Sequence, residues 1–150
     1  MKVIKMHGQG NDYIFFDIDS EASFDDEHWK NLSIKLSNRK NSIGADGIVL
    51  IQNQKLEKKR AICCIRIFNA DGTEAETCGT ALRCVTYYLY KKFRKKLIVI
   101  QTISGEKDCQ INRINKSITV NMGKVIFEKE QSVTLSSLSF GTNDGRYDND

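Results

Sequence analysis

The apolar stretch AICCIRIF at residues 61–68 runs into the polar NADGTEAET, and then into a segment whose apolar residues Ala81, Leu82, Val85, Tyr88 and Leu89 recur at helical spacing. β-Branched residues and Phe68 make the first part a buried strand, and Asn69-Ala70-Asp71-Gly72 is turn chemistry. The periodicity of the last part is that of a helix packed along one face. Strand, polar loop and helix in this order place Cys78-Gly79-Thr80 in the helix's first turn. The first N–H groups of a helix have no partner inside it and the dipole is positive there, so the turn suits an anion. The same field favours thiolate over thiol, which makes Cys78 a candidate base or nucleophile below its reference pKa of about 8.5.

The rest of the chain supplies strands and one further helix. Residues 3–6 and 13–18 read as strands separated by the Gly-rich break His7-Gly8-Gln9-Gly10-Asn11-Asp12. In that loop Gly8 and Gly10 are expected to supply the unusual dihedrals, and Asn11 and Asp12 to close the turn; Asn11 could also aim its amide into a pocket. Residues 23–37 read as an amphipathic helix capped by Ser23, Asp25 or Asp26, with Trp29, Leu32 and Leu36 on one face. The loop Gly44-Ala45-Asp46-Gly47 leads into a strand at 48–52, a charged connection covers 54–60, and further strands are expected at 97–102, 107–111, 117–122 and 133–140. About eight strands and two helices, with the strands mostly antiparallel, predict an α+β fold in which a curled sheet surrounds the helix at 81–90.

Composition narrows the function classes. A chain of 150 residues suits one domain. Cys63, Cys64, Cys78, Cys84 and Cys109 form no C-x-x-C pair and no metal-ligand spacing with His7 or His28, so no metal is expected. Their odd number, with no apolar N-terminal segment, points to the reducing cytoplasm and away from disulfides or export. Adjacent Cys63 and Cys64 face opposite sides of a strand, while Cys84 and Cys109 read as core. No apolar run approaches a membrane span of about 20 residues. The cations Lys91, Lys92, Arg94, Lys95 and Lys96 complement a helix C-terminus, and no nucleic-acid motif accompanies them. Without a G-x-G-x-x-G or Walker pattern, no nucleotide cofactor is implied.

The segments KMHGQGNDYIFFD, SIGADGIVLI, RIFNADGTEAETCGTALRCV and VNMGKVIFE, in that order, resemble the N-terminal half of diaminopimelate epimerase. The resemblance implies two similar halves, each a curled sheet around a central helix, with the active site in the cleft between them. Each half brings one cysteine. One thiolate removes the α-proton of the amino acid and the other, as a thiol, returns a proton to the opposite face, with no cofactor. Inversion requires this, because removal and delivery occur on opposite sides.

By position, the resemblance makes Cys78 the catalytic cysteine, Asn11 and Asn69 substrate-holding amides, and Gly79 a backbone donor to the α-carboxylate. Thr80 stands where the family usually has Asn, offering one hydroxyl to the substrate in place of a planar amide. Gly47 occupies a place where some members have Gln and others Gly. Members are nearly twice as long, with their second cysteine in the other half, and Cys109 does not stand in for it. The expectation is therefore an LL-to-meso diaminopimelate epimerase of lysine and cell-wall synthesis, with this chain holding one half of the site and inactive alone. The alternatives are a related racemase for another amino acid, or a non-catalytic half-domain that pairs with a partner. Residues 1–124 would form the half-domain, and 125–150 a loose linker or the start of a second half. The expected partners are an amino-acid substrate and either a C-terminal half or a second copy in a homodimer.

Overall fold

The computed structural model describes residues 2–19, 25–53 and 61–124. The strand expected at 133–140, the loose segment 125–150 and the connection 54–60 lie outside the described residues. The elements in chain order are β1 (Lys2–Gly8), β2 (Asn11–Asp19), α1 (Asp26–Ser37), β3 (Gly47–Asn53), β4 (Cys63–Asn69), β5 (Glu74–Ala75), α2 (Gly79–Phe93), β6 (Leu97–Thr102), β7 (Gly105–Ile111) and β8 (Ile118–Val120). The two-residue β5 has no counterpart among the expected strands. It forms because the turn after β4 folds back far enough for Ala75 to pair with Ile67.

The eight strands among the described residues join one sheet in the order β1-β2-β3-β4-β6-β7-β8, with β5 beside β4. β2–β3 and β4–β6 are parallel and the other five pairings antiparallel, which gives the mixed, mostly antiparallel α+β fold that was expected. Each parallel step is made through a helix. Both steps move across the sheet in the same direction, but β2 and β4 point opposite ways. Right-handed crossovers therefore require α1 and α2 on opposite faces.

The packing agrees with that geometry. On one face Ile14, Phe16, Ile18, Ile48, Leu50 and Phe68 meet Trp29 of α1, with Leu32 and Leu36 against them. On the other face Tyr13, Phe15, Val49, Ile51, Ile65 and Ile67 meet Ala81, Leu82, Val85 and Leu89 of α2. Alternate residues of YIFF and IVLI thus serve different cores, which is why these strands are apolar throughout. α2 packs against β1 and β6 to β8 as well, so the sheet curls round it.

The two helices are terminated as their sequences require. Asp25 caps α1, its carboxylate accepting from the His28 N–H at 2.7 Å. Arg94 closes α2 in the left-handed conformation, its N–H bonded to the Tyr90 carbonyl at 2.8 Å.

The Gly-rich break is tighter than its sequence suggests. β1 runs through Gly8 and β2 begins at Asn11, leaving a two-residue turn in which Gln9 (φ 56°) and Gly10 (φ 86°) take positive φ. Asn11 and Asp12 are therefore strand residues and do not close the turn. Positive φ at both positions is the type I′ pattern, whose twist matches that of its strands, and Gln9 accepts it. Gly8 is small for another reason: a Cβ there would lie 3.1 Å from the Thr80 methyl.

Candidate active site

Cys78 is the N-cap of α2, in extended backbone, and its side chain makes no capping hydrogen bond. The sulfur instead turns toward β2. Asn11 Nδ2 donates to Cys78 Sγ at 3.9 Å, and Tyr13 Oη lies 3.6 Å from the same atom. The first bond inside α2 runs from the Leu82 N–H to the Cys78 carbonyl, so the N–H groups of Gly79, Thr80 and Ala81 have no partner one turn back. One residue earlier, Thr77 Oγ1 is buried without a hydrogen-bond partner among the described residues. The helix entrance thus combines a partly buried thiol, a side-chain amide, a phenol and unfilled backbone donors.

The other cysteines differ from Cys78 in setting. None of the five is joined in a disulfide. Cys63, Cys84 and Cys109 are buried, and burial pushes the thiols of all three up. They remain protonated core residues, as their positions suggested.

The remaining site residues follow from sheet register. Tyr13 pairs with Gly47, and Gly47 with Asn69, so Tyr13, Gly47 and Asn69 form one row across β2, β3 and β4 at the end of the sheet. Asn69 continues the face of Ile65 and Ile67, the side on which α2 lies. Its Nδ2 donates to Thr73 Oγ1 at 3.0 Å, inside its own turn, rather than to Cys78. Gly47 carries no side chain into the row, and a Cβ there would fall 2.2 Å from the Phe68 carbonyl oxygen. Thr80 accepts from Arg83 Nη2 at 3.0 Å, and the same nitrogen reaches Gln9 Oε1 at 3.4 Å. The Thr80 hydroxyl proton is not consumed by that bond.

An ion-pair network absent from the sequence reading ties the row together. Arg39 bridges Asp12 and Asp46, and Lys5 lies 3.1 Å from Asp12. The Asp46 N–H donates to the Asp12 carbonyl at 2.8 Å, and the Ala70 N–H to the Asp46 carbonyl at 3.0 Å, so the loop before β3 clamps the start of β2 to the turn after β4. The Arg39 hydrogen bond, with help from Lys5, holds the Asp12 carboxyl well below the usual carboxylate range. Its stabilisation is present above the unfolded-state value of about 3.9 and is lost as the pH falls through the folded value. Arg39 and Lys5 are roughly half exposed, which limits the effect. Asp12→Asn is expected to cost about 1 kcal/mol near neutral pH, read from urea midpoints, with the difference from the parent narrowing below about pH 4.

Among the described residues no group of three or more His, Cys, Asp or Glu is placed to hold a metal ion. No helix among them is long and apolar enough to cross a membrane. A groove of about 470 Å³ opens beside the site, lined by Met6, His7, Gly8, Arg83, Tyr87 and Ile118 among others.

Tyr13, Arg83 and the Asp12–Arg39–Asp46 network are the parts of the site that sequence reasoning missed. Tyr13 was within reach of it. Placing Asn11 in the strand rather than the loop puts the residue two positions on, Tyr13, on the same face.

The family model for diaminopimelate epimerase matches residues 3–128. A diaminopimelate epimerase of Methanococcus maripaludis is 40% identical over 141 residues, covering 91% of this chain and 48% of that protein. One from Carboxydothermus hydrogenoformans is 35% identical over 133 residues, covering 87% and 47%. A Bacillus anthracis phenazine biosynthesis protein of the PhzF family superposes with a TM-score of 0.56 at 20% identity, over 80% of this chain and 40% of that one, which shows a shared fold. The chain spans about half the length of the curated relatives it matches. From residue 3 to residue 128, this chain belongs to the diaminopimelate epimerase family.

Proposed function

We propose that this chain provides one half of the active site of a cofactor-independent amino-acid epimerase, acting on the α-carbon of diaminopimelate. One observation carries the reading: Cys78 stands at the N-cap of α2 with its sulfur free of capping and directed at Asn11 and Tyr13. In the forward direction the Cys78 thiolate takes the α-proton, and the electron pair left on carbon is delocalised toward the α-carboxylate. That carboxylate sits on the backbone N–H groups of Gly79 and its neighbours, where the helix end stabilises the charge that develops. A thiol on the opposite face, from a second half, delivers a proton to the same carbon and completes the inversion. In the reverse direction the roles exchange, and Cys78 gives up its proton. Asn11 and Asn69 supply amide contacts to the substrate, and Thr80 a single hydroxyl.

A related racemase for another amino acid is the second reading, favoured by Thr80. Its oxygen is already engaged by Arg83, and it offers no amide where the family usually has one. Deuterium uptake at the α-carbon separates the two, measured for a panel of amino acids with this chain combined with the C-terminal half of the Methanococcus maripaludis relative. The expected outcome is uptake into diaminopimelate well above uptake into the rest of the panel. Equal uptake across the panel would remove diaminopimelate as the substrate.

A further inference from the structure

We infer that Tyr13 is a positioning residue for Cys78, its phenol donating a hydrogen bond to the thiolate and aligning the sulfur for proton transfer. The inference rests on the reading of Cys78 as a proton-transfer thiol. Tyr13 and Asn11 leave the same face of β2, and among the described residues they are the two whose side chains hydrogen-bond Sγ, at 3.6 and 3.9 Å. The Tyr13 ring is only 5% exposed and packs edge-on against Phe15, with centroids 6.3 Å apart, so its oxygen is held in place. Either group can donate while Cys78 is a thiol. Once the sulfur has lost its proton, the phenol must be the donor of the Tyr13–Cys78 bond, beside the Asn11 amide that donates in either state.

The surroundings favour that arrangement. Burial, and then the neighbouring Cys78, push Tyr13 up to about 12, so the phenol keeps its proton over the range in which a thiolate forms. Among the described residues the charged and titratable groups that face the pair include Cys84, which interacts with Cys78, and Arg83, which flanks Gly79, both on α2, together with Asp46 ahead of β3, which acts on Tyr13. A Phe at this position would fill the same space and leave the sulfur with Asn11 alone. The hydroxyl is thus separable from the packing role of the ring.

The test is the pH profile of Cys78 alkylation by iodoacetamide in the 150-residue chain, resolved from the other thiols by peptide mass mapping. Tyr13→Phe is expected to move the midpoint upward by about one pH unit, a tenfold lower thiolate fraction on its acid side. Site-specific 3-fluorotyrosine at position 13 keeps the ring and hydroxyl but is the stronger donor, and is expected to move the midpoint downward. A profile unchanged by the fluorinated residue overturns the assignment even where the Phe variant fails to fold, and an unchanged profile in a folded Phe variant does the same. The titration needs no turnover. Its failure leaves the epimerase reading intact, and a lack of epimerisation leaves the Tyr13–Cys78 coupling intact.

Discussion

Cys78→Ser is expected to lower α-proton exchange into diaminopimelate by about a thousandfold when this chain is combined with a C-terminal half. The substitution keeps the side chain's shape and removes only its acidity. A serine hydroxyl is a far weaker acid than a thiol, so the anionic base is absent at neutral pH. Packing should not change, because Cys78 is partly buried and its side chain does not cap α2. The circular dichroism spectrum of the variant should therefore match that of the parent, and its urea midpoint should be no lower, since serine is a favoured N-cap. Retained exchange in a folded variant would refute the assignment of Cys78 as the base. Cys84→Ser is the useful contrast: it places a hydroxyl in the core under α2, so its expected effect is on stability rather than on proton transfer.

Gly47→Ala is expected to destabilise the fold by about 3 kcal/mol, the upper end for an overpacked position. The added Cβ would lie 2.2 Å from the Phe68 carbonyl oxygen and 3.1 Å from Asn69 Cα. Both are backbone atoms of β4, so no side chain can swing aside to relieve the contact. β3 and β4 must separate where Gly47 pairs with Asn69, which disturbs the row from Tyr13 to Asn69 and the Asp46–Ala70 bond beside it. The measurement is the urea midpoint, with Gly105→Ala for comparison. Gly105 has positive φ but nothing within 4 Å of its Cβ position, so its cost is conformational alone, about 1 kcal/mol. A Gly47→Ala loss no larger than that of Gly105→Ala would show that β3 and β4 yield freely at this point.

Local chemistry made part of this molecule legible in its sequence. The strand, turn and helix from Cys63 to Phe93 follow from apolar spacing and from Asn69 to Gly72, and the position of Cys78 at the helix entrance comes with them. Trp29, Leu32 and Leu36 read as one face of α1, and they are the residues that pack against the sheet. The hairpin at Gln9-Gly10 was harder. It lacks the Asn-Gly or Asp-Gly signature of a two-residue turn, so His7 to Asp12 read as loop although most of it is paired strand. That error hid Tyr13, because the face a strand residue occupies is known only once the strand's start is known. The clamp of Arg39 on Asp12 and Asp46 had no local signature, since it joins side chains 27 and 7 residues apart. The strand order was equally invisible. It depends on crossovers that bring Tyr13, Gly47 and Asn69 into one row from three separate segments.

The central claim is that Cys78 and its row are one half of a two-sided proton-transfer site. The most direct test is inversion and deuterium uptake at the α-carbon of diaminopimelate, followed with the 150-residue chain alone, with the C-terminal half of the Methanococcus maripaludis relative alone, and with the two together. The account predicts no inversion by either piece, inversion by the mixture, and its loss when the mixture carries Cys78→Ser. Inversion by the 150-residue chain alone would contradict it, because a single thiol on one face of the α-carbon would then be sufficient.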